Sequence, residues 1–231
     1  MNVTVIIKTF LRPDACRAAV RSWLTVVPRI PIIVVDDGGG DVTPDLSEFL
    51  SVTHIRTDFD VGVSAGRNIG VAAAGTRYVV VADDDNACTR ETDLPAALDQ
   101  LKQNGLGILG VGAYWFKESN KHLTIAGTPR VTSFTKCNAT LNHFLGDRDL
   151  MPAWDASLKV AGEHVDYFLE CRRLEVPVAA TPLMGFYRCR HAARKSRAGY
   201  KRYRNRSHVH IVKRKWGYKS ISRWGVKPPA G

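Results

Sequence analysis

The sequence lacks several patterns that mark common nucleotide-binding and membrane proteins. No apolar run approaches the roughly 18 residues needed to span a bilayer. There is no GxxxxGK[ST] motif, and no GxGxxG follows the first apolar run, which argues against a P-loop and against a dinucleotide-binding Rossmann unit. The opening segment, MNVTVIIKTF, has a short apolar stretch and no basic lead-in. We therefore expect a first strand there, and neither a signal peptide nor a transmembrane segment.

Cysteine pairs at metal-binding or redox spacing are also absent. The chain has 5 cysteines, an odd number, and none of them form CxxC. This pattern argues against a disulfide or zinc framework and indicates reduced thiols. We therefore expect a cytoplasmic protein that is not secreted.

Acidic residues are missing from the end of the chain. From Arg188 to Gly231 there are 15 Lys or Arg and no Asp or Glu, whereas the preceding 187 residues hold 18 basic and 22 acidic residues. The sequence therefore predicts a mildly acidic body and a strongly basic tail, with an overall net charge of +11.

Apolar runs alternate with helix-like stretches over the first half of the chain. Strands are predicted at 3–7, 30–35, 52–56, 78–82 and 107–113, and helices at 13–27, 62–74, 91–103 and 162–174. This alternation indicates an α/β fold with a mostly parallel sheet.

Three of the predicted strands end in charged or polar residues. The first runs into Lys8-Thr9, the second into Asp36-Asp37-Gly38, and the fourth into Asp83-Asp84-Asp85. In such sheets ligands bind outside the carboxyl ends of the strands. We therefore expect these three segments to form one binding site.

The aspartate triplet is the most concentrated charge in the body. Three adjacent carboxylates repel one another, so they call for a positive partner, and oxygen ligands suit Mg²⁺ or Mn²⁺. In an extended segment Asp83 and Asp85 point to one side, where they would share the ion, while Asp84 faces elsewhere. The alternative is a strand that ends in a solvated acidic turn.

Four motifs in order carry a resemblance to a known family: VTVIIKTFLRPD, IIVVDDGG, DVGVSAGRNIGVAAAGTRYVVVADDDN and AWDASLKVAGEHVDYFLE. Together they resemble GT-A fold glycosyltransferases of the inverting family 2, especially β-1,4-N-acetylgalactosaminyltransferase catalytic domains. The resemblance implies a nucleotide-binding, mostly parallel sheet flanked by helices. It divides the chain into a catalytic domain over 1–191 and a basic, aromatic-containing extension over 192–231.

The resemblance also implies a nucleotide-sugar donor, a UDP-sugar, and the residues that bind it. Thr9 and Arg12 would lie along the nucleotide, and Asp36 and Asp37 would bond the base and ribose. The remaining implied residues are the diphosphate-binding Arg67 and Asn68, the donor-binding Asp83 and Asp84, and the metal ligands Asp83, Asp85 and His191. The implied cofactor is Mn²⁺ or Mg²⁺.

An acceptor hydroxyl must lose a proton during attack, which calls for a carboxylate base. Relatives carry a Glu-Asp pair where this chain has Glu163-His164. The resemblance favours Asp166 as the base, with Glu163 orienting the acceptor or taking that role itself. The alternative is a charged, solvent-facing helix surface.

The basic tail interleaves cations with five aromatic residues, Tyr200, Tyr203, Trp216, Tyr218 and Trp224. This composition suits nucleic acid, or an anionic membrane surface that carries a glycan or lipid acceptor. The aromatic residues would equally pack the tail onto the acidic body, and we expect His208 and His210 to be solvated or to face phosphate. A second function class follows, a glycosyltransferase-like module that binds polyanions with little or no transfer activity.

Overall fold

A computed structural model describes residues 2–40, 42–188, 203 and 208–223 of the 231-residue chain, excepting the side chain of Arg223. The strands are β1 (Val3–Thr9), β2 (Ile32–Asp36), β3 (Val52–Arg56), β4 (Tyr78–Asp83), β5 (Asn86–Cys88), β6 (Ile108–Gly110), β7 (Ala113–Ser119), β8 (His122–Thr128), β9 (Thr135–Lys136), β10 (His143–Asp147), β11 (Val178–Ala180), β12 (Phe186–Arg188) and β13 (Ser220–Arg223). The helices are α1 (Pro13–Val26), α2 (Val63–Ala73), α3 (Leu94–Gln103), α4 (Glu163–Arg173) and α5 (Val209–Trp216).

The main sheet of the described residues has eight strands in the order β3-β2-β1-β4-β10-β6-β11-β9. The four strands β3, β2, β1 and β4 are parallel neighbours, and β10 runs antiparallel to β4. The predicted α/β fold with a mostly parallel sheet is confirmed. Since β2, β1 and β4 are adjacent and parallel, their charged carboxyl ends meet at one edge.

Helices cover both faces of this sheet. One apolar cluster packs α1 and α3 against it, with Trp23 and Leu101 fully enclosed. The other packs the side chains of α4 on the opposite face, where the Phe168 ring meets the Phe144 ring edge-to-face with ring centroids 6.0 Å apart, a separation typical of aromatic pairs. The two clusters fix the sheet between helical layers, so the strand ends are held rigidly.

The predicted strand at 107–113 is wrong as one element. It divides into β6 and β7 because Gly112 adopts φ +73°, a left-handed conformation that a strand cannot contain. The chain then turns out of the main sheet, and β7 pairs with β8 in a separate three-stranded sheet of the order β13-β8-β7.

The described part of the basic tail packs onto the body. Strand β13 pairs in parallel with β8, and Val212 of α5 is buried in a third apolar cluster with Leu123, Val165 and Leu169. Residues 208–223 therefore share a core with the predicted catalytic domain, in keeping with the packing interpretation of the tail. The prediction for His191, and those for Tyr200 and Trp224, lie outside the described residues.

Two further features concern the class of protein. Among the described residues, no helix has the length and apolar character required to cross a bilayer. The four described cysteines are free thiols: Cys16, Cys88 and Cys171 are buried, and Cys137 is partly exposed.

Candidate active site

A cavity of about 560 Å³ lies at the carboxyl ends of the parallel strands. Its charged lining comes from these strand ends and the segments that follow them: Lys8, Arg12, Asp37, Asp60, Arg67, Asp83 and Asp85. Its apolar lining comes largely from β7, β8 and the segment before β10: Tyr114, Phe116, Ile125, Ala139 and Leu141. Glu163 and His164, in the first turn of α4, complete the wall.

The aspartate triplet divides as its alternation predicts. Asp83 and Asp85 line the cavity, whereas Asp84 is 0% exposed beneath it. Asp84 accepts a hydrogen bond of 2.8 Å from Thr9 Oγ1 and is paired with the guanidinium of Arg12. Thr9 and Asp84, both predicted to bind the donor, thus bond to each other below the cavity lining.

The positive partners of the triplet lie within the chain. Arg12 Nη1 is 3.3 Å from Asp85 Oδ2, and Arg67 Nη2 donates to Asp83 Oδ1 at 2.7 Å. Two guanidinium groups therefore offset the repulsion among three carboxylates. Arg12 and Arg67 therefore supply part of the positive charge that the triplet calls for, and the divalent cation remains a prediction.

Burial and these arginines act on the carboxyl groups in opposite directions. Burial raises the pKa of Asp84 to about 6, although the charge of Arg12 opposes the shift. Burial also acts to raise the pKa of Asp83, but the charges of Arg67 and Arg12 leave it below its ordinary value. Asp83 is therefore a carboxylate at neutral pH.

Arg67 is a buried cation with unused donors. It is 1% exposed, and its Nε and Nη1 have no hydrogen-bond partner within the described part of the chain. The guanidinium lies 5.8 Å from the ring centroid of Trp154 and lines the cavity. A buried donor without a hydrogen-bond partner destabilises the folded protein. This arrangement therefore favours an anionic ligand that accepts hydrogen bonds from Nε and Nη1.

The amino-terminal end of a helix can offer unpaired N–H groups to an anion, but two amides at the start of α2 already have partners. The N–H of Gly62 already donates to Asp37 Oδ2 at 2.9 Å, and the N–H of Val63 donates to the carbonyl of Lys159 at 2.8 Å. These two amides are therefore engaged within the chain. Arg67 would therefore offer a diphosphate the donors that these two amides do not.

The two aspartates after β2 have different surroundings. Asp37 lines the cavity and forms an ion pair with Lys8, whose pKa is lowered by burial. Asp36 is buried, and its carboxylate accepts from the Gly38 N–H at 2.9 Å and from Thr43 Oγ1 at 2.7 Å. Asp36 therefore shapes the loop after β2, while Asp37 reaches the cavity.

Asn68, predicted to bind the diphosphate, bonds to the backbone of Trp154. Its Nδ2 donates to the Trp154 carbonyl at 2.8 Å, and its Oδ1 accepts from the Trp154 N–H at 2.9 Å. Both ends of the amide are thus used to hold the loop whose indole ring lies beside Arg67.

The structure separates the two carboxylates predicted for the base. Glu163 lines the cavity, and its buried Oε2 has no hydrogen-bond partner among the residues that the structure describes. Asp166 is 2% exposed, and it accepts from Trp216 Nε1 at 2.7 Å and from Lys215 Nζ at 2.9 Å. Asp166 therefore joins α4 to α5, whereas Glu163 faces the site.

Two site residues carried no assigned role in the sequence interpretation. His164 Nδ1 is hydrogen-bonded to Asn142 Oδ1, and Asn142 Nδ2 donates to Asp83 Oδ2 at 3.5 Å. The signal for His164 was its place in the Glu163-His164 pair, where relatives carry an acid. Asn142 gave no signal, because it is distant in sequence from both of its partners.

His208 supports the segment that leads into α4. Its Nδ1 accepts from the backbone N–H of Lys159 at 3.0 Å, and the backbone N–H of His208 donates to the carbonyl of Ala161 at 2.9 Å. The expectation that His208 is solvated or faces phosphate is therefore wrong, because the tail folds back and uses this imidazole as a structural acceptor.

The predicted third metal ligand, His191, lies outside the described residues. Among the residues that are described, no group of three or more His, Cys, Asp or Glu side chains is arranged to hold a metal ion. Asp83 and Asp85 are two of the three predicted ligands, and the ligand set remains a prediction.

Comparisons with known proteins agree with this architecture. The family model described as Glycosyl transferase family 2 matches residues 4–154. Beta-1,4 N-acetylgalactosaminyltransferase 1 of Rattus norvegicus is 36% identical over 108 residues, which are 47% of this chain and 20% of that protein. The Homo sapiens protein of the same name is 34% identical over 108 residues, which are again 47% of this chain and 20% of that protein. The chain thus spans about a fifth of the length of the curated relatives it matches.

Solved structures share the fold at low sequence identity. GalNAc-T7 with UDP, GalNAc and Mn²⁺ has a TM-score of 0.66 and 13% identity, covering 81% of this chain and 43% of that one. S. aureus TarS 1-349 has a TM-score of 0.61 and 16% identity, covering 81% and 60%. The predicted GT-A fold is confirmed.

Proposed function

The chain belongs to glycosyl transferase family 2, and from this membership we propose that it transfers a sugar from a nucleotide-sugar donor to an acceptor hydroxyl. The observation that carries the proposal is Arg67, a buried guanidinium with two unpartnered nitrogens among the described residues, on the wall of the cavity. A diphosphate presents the oxygen acceptors that these donors need.

We propose a UDP-linked donor of the N-acetylhexosamine type. GalNAc-T7 was crystallised with UDP and GalNAc, and S. aureus TarS 1-349 with UDP-GlcNAc. Within this chain, Asp37 and Lys8 line the same cavity as Arg67 and offer an acceptor and a cation to the nucleotide. Thr9 and Asp36, with Asp84 below the lining, would hold the surrounding loops.

We propose that the donor binds with a divalent cation, Mn²⁺ or Mg²⁺. Asp83 and Asp85 fit such an ion, because both line the cavity and their side chains are 25% and 16% exposed. Both present oxygen ligands, which hard cations prefer. When bound, the ion would neutralise negative charge on the leaving diphosphate. His191 is the third ligand in this proposal.

The chain's own residues account for the rest of the reaction. Arg67 would stabilise charge that develops on the leaving diphosphate. Glu163, and not Asp166, would contact the acceptor, since Glu163 lines the cavity while Asp166 is bonded to Lys215 and Trp216. Direct attack by the acceptor on the face opposite the leaving group inverts the anomeric carbon, as the resemblance to the inverting family implies.

UDP titration and UDP-sugar hydrolysis by the purified chain test this proposal. We expect Mn²⁺-dependent UDP binding and slow, Mn²⁺-dependent release of UDP from at least one UDP-sugar. Arg67→Met should weaken UDP binding about 10-fold or more, because hydrogen bonds to charged groups contribute about 1.5–3 kcal/mol.

Arg17→Ala is the matched control, since Arg17 is an exposed arginine on α1 that pairs with Glu48 and lies outside the cavity lining. This variant should bind UDP as the unmodified chain does. A chain that binds no UDP with Mn²⁺ and hydrolyses no UDP-sugar would overturn the proposal, and would favour the alternative of a polyanion-binding module.

A further inference from the structure

Three hydrogen-bonded side chains, those of Asp83, Asn142 and His164, lie side by side along the wall of the cavity. Asp83 Oδ2 accepts from Asn142 Nδ2 at 3.5 Å, and Asn142 Oδ1 is hydrogen-bonded to His164 Nδ1. The His164 ring also packs edge-on against Phe168, with ring centroids 5.1 Å apart. Asp83 and His164 both line the cavity, so these hydrogen bonds connect two parts of one site.

The hydrogen-bond directions fix the state of the imidazole. A carboxylate only accepts, so the Asn142 atom that faces Asp83 must be the Nδ2 donor. The atom that faces His164 is then the carbonyl Oδ1, which also only accepts, so His164 Nδ1 must carry a hydrogen. In a neutral imidazole this leaves Nε2 as the nitrogen that takes a proton.

We propose that His164 accepts the proton of the acceptor hydroxyl, and that Glu163 orients that hydroxyl. This inference rests on the proposed sugar transfer. As the acceptor oxygen forms its bond to the anomeric carbon, the bond from that carbon to the phosphate oxygen breaks and its electron pair leaves with the nucleoside diphosphate. The hydroxyl proton passes to Nε2 of His164, which becomes an imidazolium and later releases the proton to solvent.

Basicity and charge both favour imidazole in this role. An imidazole has an ordinary pKa near 6.5, about two units above that of a carboxylate, so it removes a proton more readily at neutral pH. Among the described residues, Asp83 is linked to it through Asn142, and Glu163 is its neighbour on the same turn. Both are carboxylates, which stabilise the imidazolium that forms.

Hydrolysis of the donor tests the proposal without knowledge of the acceptor. Water then serves as the acceptor and must lose a proton in the same way. The measurement is UDP release from UDP-N-acetylgalactosamine and UDP-N-acetylglucosamine with Mn²⁺. His164→Gln keeps an N–H for Asn142 but takes no proton, so release should fall about 100-fold or more while UDP affinity changes less than about 2-fold, since a general base contributes at least about 10².

Two further variants distinguish a base from a structural residue. Added imidazole should restore UDP release to His164→Ala in proportion to its unprotonated concentration. Asn142→Leu removes the acceptor that fixes the tautomer, so release should fall and the acid limb of its pH profile should shift, although UDP still binds. Glu163→Gln should lower release yet keep the acid limb, because His164 is retained.

Unaltered UDP release by a folded His164→Gln variant would overturn the proposal. So would loss of the acid limb in Glu163→Gln with no effect of His164→Gln, since the carboxylate would then be the base. These results differ from failure of the proposed function itself, in which the unmodified chain neither binds UDP nor releases it from either donor.

Discussion

At the scale of single residues, the charged groups of the cavity are largely neutralised by one another. Arg12 pairs with Asp84 and Asp85, and Arg67 pairs with Asp83. These pairs hold the carboxylates in place before any ligand binds. A divalent cation would therefore meet oxygen ligands whose directions are already fixed, which reduces the cost of ordering them.

The proposed role of Asp85 as a metal ligand gives the first prediction at this scale. Asp85→Ala removes one of the two carboxylates that line the cavity, and we expect it to abolish the increase in UDP affinity that Mn²⁺ causes. UDP titration by calorimetry with and without Mn²⁺ measures the effect. Equal Mn²⁺ dependence in Asp85→Ala and in the unmodified chain would contradict the assignment.

His143 gives a second prediction, on stability. It is fully buried between the rings of Trp23 and Phe186, and burial lowers its pKa to about 4. The unfolded chain binds a proton near pH 6.5 while the folded chain does not, so stability is complete above pH 6.5 and falls as the pH drops to about 4.

The loss attributable to His143 is about 3 kcal/mol at pH 4, from the two pKa values. His143→Phe keeps a ring between Trp23 and Phe186 and does not titrate. The decrease in the free energy of unfolding between pH 7 and pH 4, measured with urea, should be about 3 kcal/mol smaller in the variant than in the unmodified chain. The same decrease in both proteins would show that His143 does not titrate as inferred.

At the scale of elements, α4 and α5 are joined by a buried polar contact. Asp166 of α4 accepts from Lys215 and Trp216 of α5, and Val165 and Leu169 pack with Val212 beside it. The tail therefore supports the helix whose first turn lines the cavity. The composition of the tail left polyanion binding and packing open, and residues 208–223 pack against the body.

Asp166→Asn tests that role and the choice between the two carboxylates. The amide keeps an acceptor for Trp216 but loses the charge that pairs with Lys215, so we expect a loss of about 1–3 kcal/mol of stability, the range for a hydrogen bond to a charged group. UDP release should stay within a few-fold. A fall in release comparable with that of a missing base, at unchanged stability, would return the base role to Asp166.

At the scale of the whole molecule, ligand binding and folding are linked. A donor nucleotide that binds only the folded chain raises stability by about 2.7 kcal/mol at 100 times its Kd. For a chain of this size that is a shift of about 5–10 °C in Tm. Thermal unfolding with UDP and Mn²⁺ together should show it, and neither Arg67→Met nor Asp85→Ala should reach it.

The net charge of +11 is also a property of the whole molecule. Much of it lies in the tail, so we expect attraction to polyanions that weakens steeply with salt. A gel shift with duplex DNA and sedimentation with anionic liposomes, at matched ionic strength, distinguish the two predicted partners. Binding that does not change across the salt series would show that the tail charge is not what binds.

The sequence by itself determined the sheet and the edge at which the site lies. Apolar β-branched runs and the helices between them predicted a mostly parallel sheet, because their periodicity and breakers are local properties. The charged ends of β1, β2 and β4 then had to meet, and the four motifs identified the family. The alternation of Asp83, Asp84 and Asp85 followed from the two-residue repeat of a strand.

Only the tertiary structure decided which partners these residues have. Arg12 and Arg67 neutralise the triplet, Asn142 links Asp83 to His164, and α5 covers Asp166, although each pair is far apart in sequence. Hydrogen bonds and ion pairs of this kind depend on how elements pack, which local patterns do not encode. For that reason the sequence did not show that Glu163 lines the cavity while Asp166 bonds to Lys215 and Trp216.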